Sequence, residues 1–135
     1  MPFTDKFRQQ HEEILAVVGE LNQQIKVRAD AQVLRTVLSN LAGKLNFHLA
    51  LEDKALYPRI RKLEGEAPSL AARFQQEMGG LGGVFQAYNS KWQVSVIRND
   101  PEGFAAESRD VFHALGRRIA RENAELYPLA DGAAA

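Results

Sequence analysis

The chain of 135 residues contains no cysteine, which excludes disulfides, thiolate metal sites, iron–sulfur clusters and a cysteine nucleophile. It has no excess of either charge, with 17 Lys and Arg against 17 Asp and Glu. Without a basic surplus or a basic run, phosphate neutralisation cannot drive binding, so nucleic acid is not an expected partner. No apolar run approaches the roughly 20 residues that span a bilayer. The start, Met-Pro-Phe-Thr-Asp-Lys-Phe, lacks the charged-then-apolar layout of a signal peptide. The expectation is a soluble, cytoplasmic protein with no membrane partner, and the length suits a single domain over residues 1–135. No Ser–His–acid set, phosphate-binding glycine loop or redox motif can be assembled. No catalytic residue is therefore assigned, and an enzyme is not the favoured reading.

What is present is a helical rhythm. Phe7, His11, Ile14, Val18, Leu21 and Ile25 follow alternating steps of four and three, which predicts a helix from Thr4 to about Val27 with Thr4 as N-cap. A second helix from Asp30 carries Leu34, Val37 or Leu38, Leu41, Leu45, His48, Glu52 and Leu56 on one stripe. Pro58 should end or kink it. Glu64–Ser69 reads as a loop, with Ser69 capping a third helix from Leu70 to about Val96 along Phe74, Met78, Leu81, Phe85, Tyr88 and Trp92. That helix contains Gly79, Gly80, Gly82 and Gly83, each costing about 1 kcal/mol relative to alanine. Close approach of a neighbouring helix, room for a ligand or hinge, or breakage into two helices would each account for them. Asn99-Asp100-Pro101-Glu102 starts a fourth helix, which should run to about Leu126 along Phe104, Val111, Leu115, Arg118, Glu122 and Leu126, with residues 131–135 as a frayed tail. The prediction is an all-α fold, an up-down-up-down antiparallel four-helix bundle.

The chain also echoes itself. His48-Leu-Ala-Leu-Glu52-Asp-Lys-Ala-Leu56-Tyr57-Pro58 returns as Arg118-Ile-Ala-Arg-Glu122-Asn-Ala-Glu-Leu126-Tyr127-Pro128, and the first helix maps onto the third with His11 falling on Met78. Two helical hairpins related by a pseudo-two-fold axis would explain this. Alternating helices would then bring His11, His48, Glu52, Met78, Arg118 and Glu122 to one end of the bundle. Imidazole and carboxylate on facing helices suit iron, zinc or manganese, and two of each are enough for one ion. Four such groups left unpaired in a core would each cost about 1 to 3 kcal/mol. His113 lies nearly opposite Glu122 around its helix and reads as a surface residue, as does Glu77. Tyr57 and Tyr127 read as packing residues that bond a backbone group at the bundle end.

These hairpins, the His48-x-x-x-Glu52 pair with Leu56-Tyr57-Pro58, and the echo ending Glu122 to Pro128 resemble the hemerythrin-like (HHE cation-binding) domain over nearly the whole chain. The resemblance implies a four-helix bundle built for a non-haem di-iron centre. One iron would be held chiefly by histidines of the first two helices, the other by histidines of the last two, with two carboxylates bridging. His11 and His48 match the first iron's histidines, and Glu52 and Glu122 match the bridging carboxylates. The chain departs from the pattern at Met78 and Arg118, which stand where the second iron's histidines would be. A guanidinium forks naturally onto carboxylates, so Arg118 should pair with Glu122 and with Glu52, roughly in place of a second cation; the other reading turns it outward to a surface acid. Two functional readings follow. One is a metal-binding protein with a single iron, or zinc, at His11, His48, Glu52 and Glu122, acting as sensor, store or binder of a small ligand such as a diatomic molecule. The other is a metal-free bundle that serves as a regulatory protein-interaction module with an unknown partner.

Overall fold

The computed structural model describes residues 2–132. The fold is an all-α helical bundle. Its elements are α1 (Asp5–Lys26), α2 (Ala31–Leu51), α3 (Tyr57–Arg61), α4 (Ala67–Met78), α5 (Gly80–Lys91), α6 (Val94–Asn99), α7 (Pro101–Arg121) and α8 (Tyr127–Gly132). α1 packs on α2 and α7, and α5 packs on the same two, which closes a ring of four rods. Among the described residues no helix is long and apolar enough to cross a membrane.

The predicted stripes are the buried faces. Ile14, Val18, Leu21, Leu34, Val37, Leu38, Leu41, Leu45, Phe85, Tyr88, Trp92, Phe104, Val111 and Leu115 form the larger core cluster. Each fully buried Leu, Ile or Phe contributes roughly 1.5–3 kcal/mol. A smaller cluster, including Phe7, Leu56, Tyr57, Ile60, Phe74, Leu126 and Tyr127, seals one end of the bundle. Between the two lies a buried polar layer of His11, His48, Glu52, Arg118 and Glu122. The polar positions therefore sit near one end but are closed off from it by apolar side chains.

Two helix starts match the sequence expectation and others differ from it. Asp30 caps α2 by accepting from the Gln32 N–H at 3.0 Å, and Asp100 caps α7 by accepting from the Gly103 N–H at 2.9 Å. Thr4 stands at the N-cap position of α1 without capping it. Its Oγ1 instead donates to Asp131 Oδ2 at 2.6 Å, and Asp131 Oδ1 accepts from the Thr4 N–H at 3.1 Å. Asp131 and Gly132 are thus the last turn of α8 and hold the start of α1, not a frayed tail; residues 133–135 of the expected tail lie outside the described residues. Ser69 does not cap the third rod. α4 already begins at Ala67, with Pro68 in its first turn, where a fixed φ and a missing N–H cost nothing.

The third rod is not one helix. It breaks at Gly79, and α5 ends at Lys91 because Arg35 of α2 takes the terminal carbonyls: its Nη1 donates to Asn89 O at 2.7 Å and Trp92 O at 2.9 Å. Orphan carbonyls at a helix end need such partners. The second and fourth rods do the opposite and run past their prolines. α2 passes through a π-helical turn, Glu52–Leu56, into α3, and α7 through Glu122–Leu126 into α8. A proline within a helix removes a donor and crowds the carbonyl four residues back. Here the turn before it is widened to the i→i+5 spacing, so that the Tyr57 N–H reaches Glu52 O and the Tyr127 N–H reaches Glu122 O.

Candidate metal centre

The two widened turns position the site. In a regular α-helix a five-residue step leaves two side chains about 140° apart, given about 100° per residue. In a π turn the fifth residue returns to the same face. Tyr127 therefore lies over Glu122, and its hydroxyl enters the polar layer. The same widening lets neighbours Glu122 and Asn123 both reach one imidazole: His11 Nε2 is 2.8 Å from Glu122 Oε1, and His11 Nδ1 is 2.9 Å from Asn123 Oδ1.

His48 is held in the same way, with Nδ1 2.7 Å from Gln10 Oε1 and Nε2 3.2 Å from Glu52 Oε2. An amide oxygen can only accept, so each Nδ1 must carry the proton and donate it. Each Nε2 is then the inward atom. Ligand atoms from His11, His48, Glu52 and Glu122 all lie within 4.8 Å of one another, and all four residues are buried. The Tyr127 hydroxyl sits among them, 3.0 Å from His11 Nε2 and 3.3 Å from His48 Nε2, and it donates to Glu52 Oε2 at 2.7 Å.

Arg118 occupies the opposite side. Its side chain is buried, with Nε 3.4 Å from Glu122 Oε2 and Nη2 3.5 Å from Glu52 Oε1. Nη1 donates to the Met78 carbonyl at 3.1 Å. Met78 itself contributes that carbonyl, while its side chain packs against the end cluster. Glu77 is 45% exposed and pairs with Arg121 at 2.9 Å, and His113 is exposed. Neither belongs to the site.

Charge and burial pull the titrating groups apart. Burial alone would lower the His48 pKa, but the carboxylates of Glu122 and Glu52 outweigh it and lift it to about 9. Burial would raise Glu122; hydrogen bonds from His11, His48 and Glu52, with the charge of Arg118, instead hold it well below the usual carboxylate range. Glu52 is pushed up, by burial first. Glu52 Oε1 has no hydrogen-bond partner among the described residues. The donor set fits a metal ion: two nitrogens and two carboxylates, buried, convergent, and oriented by amide oxygens behind the imidazoles, the arrangement that tunes metal-bound histidine.

A narrow cavity of ≈ 10 Å³ reaches this layer between Leu45, Leu49, Leu81, Gly82 and Leu115, touching His48 and Glu122. That is about the room one water needs. A side chain at Gly82 would begin in ordinary contact with Leu49 Cδ1 at 3.8 Å, and nothing lies within 4 Å of a Cβ built at Gly80 or Gly83. The glycines are not there to admit a neighbouring backbone.

The sequence pattern gives no sign of Tyr127, Gln10 or Asn123 as site residues. It predicts packing and a backbone bond for Tyr127, whose hydroxyl instead lies in the polar layer. Tyr57 makes no backbone bond either: its hydroxyl is buried without a partner among the described residues. The one available signal was the Leu-Tyr-Pro that follows both Glu52 and Glu122. A family model for the hemerythrin HHE cation-binding domain matches residues 3–130, nearly the whole chain. No curated protein and no solved structure matches it.

Proposed function

The chain belongs to the hemerythrin HHE cation-binding domain family, and on that footing we propose that it is a single-domain protein that holds one metal ion, iron before zinc, at His11, His48, Glu52 and Glu122. The observation that carries this is the orientation of the two imidazoles. With both Nδ1 atoms directed at amide oxygens, both Nε2 atoms face carboxylate oxygens at 2.8 and 3.2 Å. Contacts that short need a proton or a cation between the two atoms: without metal, His48 carries a proton there, and a metal ion would take its place and serve all four groups at once. Imidazole with carboxylate suits iron and zinc. Arg118 stands in for a second ion, which reduces a duplicated two-metal plan to one. The role we read is sensor, store or small-ligand binder, with the cavity at Gly82 as the way in for a molecule the size of a diatomic.

Elemental analysis of protein purified without a histidine tag and loaded with iron tests this. Close to one ion per chain is expected, with His11→Ala and His48→Ala both losing it. An unoccupied wild type under the same loading would sink the reading. The charge balance favours a second reading in that event: Glu52 and Glu122 against Arg118 and a protonated His48 sum to zero, which suits a metal-free interaction module. The two separate on chelation. A bound ion at a hundredfold excess over its Kd adds about 2.7 kcal/mol, so chelator should lower the melting temperature of a metal protein and leave that of a metal-free module unchanged.

A further inference from the structure

We infer that the phenol oxygen of Tyr127 is itself a metal ligand, a fifth donor that completes the set of His11, His48, Glu52 and Glu122. The inference rests on the reading of this layer as a metal centre and goes beyond it by naming an anionic oxygen donor. The Tyr127 side chain is 0% exposed, and its hydroxyl has three polar neighbours: Glu52 Oε2 at 2.7 Å, His11 Nε2 at 3.0 Å and His48 Nε2 at 3.3 Å. A hydroxyl has one proton, and it goes to Glu52. The remaining oxygen lone pairs face the two inward Nε2 atoms. Without metal that contact needs a proton on a ring nitrogen; an ion at the centre would replace that proton and gather the phenol oxygen and both nitrogens as donors.

Part of the spacing is already that of a coordination shell. Donors bound to one ion at about 2.0–2.2 Å lie about 3 to 3.7 Å from their neighbours in the shell. The Tyr127 separations from the two nitrogens fall in that range, as does His48 Nε2 to Glu52 Oε2 at 3.2 Å; Tyr127 to Glu52 at 2.7 Å and His11 to Glu122 at 2.8 Å are hydrogen-bond distances that an ion would widen. The ring cannot turn away. It stacks on the His11 imidazole at 5.1 Å and 16°, and packs against Phe7 at 5.8 Å.

The matching tyrosine supplies the contrast. Tyr57 follows Glu52 through the same kind of widened turn, and its buried hydroxyl has no partner among the described residues. It faces the Arg118 half, where no imidazole stands. Packing alone is satisfied by an idle hydroxyl, as Tyr57 shows; only in the histidine half is the hydroxyl set among donors.

A bound ion would take the Tyr127 oxygen as phenolate: the O–H bond would break heterolytically, the proton would leave by way of Glu52, whose Oε2 already accepts it at 2.7 Å, and no electron would change hands. A phenolate added to two carboxylates makes the site hard and anionic, which favours ferric over ferrous iron.

The test titrates metal-free protein with iron(II) under anaerobic conditions, and in parallel with zinc, while ultraviolet difference spectra report tyrosinate and the same samples are analysed for bound metal. The chain has three tyrosines, so single Phe variants assign the signal. One tyrosinate per bound ion is expected in the wild type and in Tyr57→Phe, and none in Tyr127→Phe, which should bind metal about tenfold to a hundredfold more weakly. After oxidation the iron form should show a phenolate-to-iron charge-transfer band with Raman modes that shift in ring-deuterated protein. An ion bound without tyrosinate, or a signal that survives in Tyr127→Phe, overturns the assignment. If Tyr127→Phe does not fold, the deuterium shift in the wild type and its persistence in Tyr57→Phe still decide. A wild type that takes up no metal removes both this inference and the reading beneath it, and the stoichiometry distinguishes that case from an ion bound without the phenolate.

Discussion

The pair Glu52 and Glu122 looks onto two different half-sites. On one side stand His11, His48 and the Tyr127 hydroxyl; on the other, at the positions that correspond in the echoed sequence, stand Met78, Arg118 and Tyr57. The first side presents inward ring nitrogens that can take up a cation from solution. The second already contains one, as a guanidinium 3.4 and 3.5 Å from the two carboxylates. On the proposed reading, the same backbone plan, helix, widened turn, tyrosine, proline, serves either a bound ion or a covalently attached charge. What decides is whether nitrogen ligands or an arginine occupy the two variable positions. The same asymmetry extends to the rods: α1 is one unbroken helix of 22 residues, whereas its counterpart is two helices of 12 residues each, parted at Gly79.

The largest effect should come from removing the built-in cation. Arg118→Leu leaves two buried carboxylates facing each other without it, and truncating one member of a buried charge group costs about 3–5 kcal/mol. Urea unfolding of the metal-free protein would measure it. Arg121→Leu, which removes the partly exposed pairs to Glu77 and Glu125 and a guanidinium 5.3 Å over the Phe74 ring, should cost less. Equal losses would mean that Arg118 is not held by the carboxylates, and the contrast between the half-sites would lose its basis.

A second way to break the comparison is to make the halves alike. Met78→His together with Arg118→His restores nitrogen donors to the second half, and the protein should then bind two ions per chain by elemental analysis. The added ion should stabilise by about 2.7 kcal/mol at a hundredfold excess over its Kd. A count that stays at one would show that the two widened turns are not interchangeable as metal supports.

The bundle and the four residues of the proposed metal set were legible in the sequence because they obey a period that can be counted. His48 and Glu52 are four apart on a stripe of Leu34, Leu38, Leu41 and Leu45, so burial of the stripe forces the pair inward. Tyr127 was not legible, because its place depends on a local change of period. Counting at about 100° per residue turns it away from Glu122, whereas the π turn returns it. Asn123 was hidden for the same reason. Gln10 was hidden because its partner His48 lies on another helix. The early end of α5 was equally out of reach, since it is set by Arg35 donating to Asn89 and Trp92 across the bundle.

Smaller in size, and a sharper probe of the histidine side, is the response to pH. The folded-state pKa of His48 is raised to about 9 from 6.5. Its contribution is therefore fully present below about pH 6.5 and is lost as pH rises through about 9, a loss on the order of 2 kcal/mol at 1.36 kcal/mol per unit after allowance for the shared carboxylates. Glu122 has the opposite sign: its pKa is depressed, so its contribution holds above the ordinary carboxylate value and fades in acid. The metal-free protein should thus melt lower at pH 9 than at pH 6.5. With metal bound, the ion takes the place of the His48 proton and binding tightens as pH rises, so the decline should disappear. The same decline with and without metal would place the ion somewhere other than against His48.

The smallest effects lie in the glycines that distinguish α5 from the uninterrupted α1, and they differ in sign along five residues. Gly80 and Gly83 are exposed, and a Cβ built on either meets nothing within 4 Å. Alanine there lowers the entropy of the unfolded chain without a clash, so Gly80→Ala and Gly83→Ala should each stabilise by about 0.4–1 kcal/mol. Gly79 is different. A Cβ there would lie 2.6 Å from the Gln75 carbonyl oxygen, the acceptor of Gly79's own N–H at 2.7 Å. Neither can move without loosening the last turn of α4, so Gly79→Ala should destabilise. It should also disturb Arg118, whose Nη1 is held by the carbonyl of Met78 one residue earlier. Thermal melts of the three variants give the signs. If Gly79→Ala stabilises as the others do, the break between α4 and α5 is only a matter of propensity. If it destabilises, Gly79 is the joint that lets the third rod present the Met78 carbonyl to the arginine, and the broken rod and the arginine half-site are one feature.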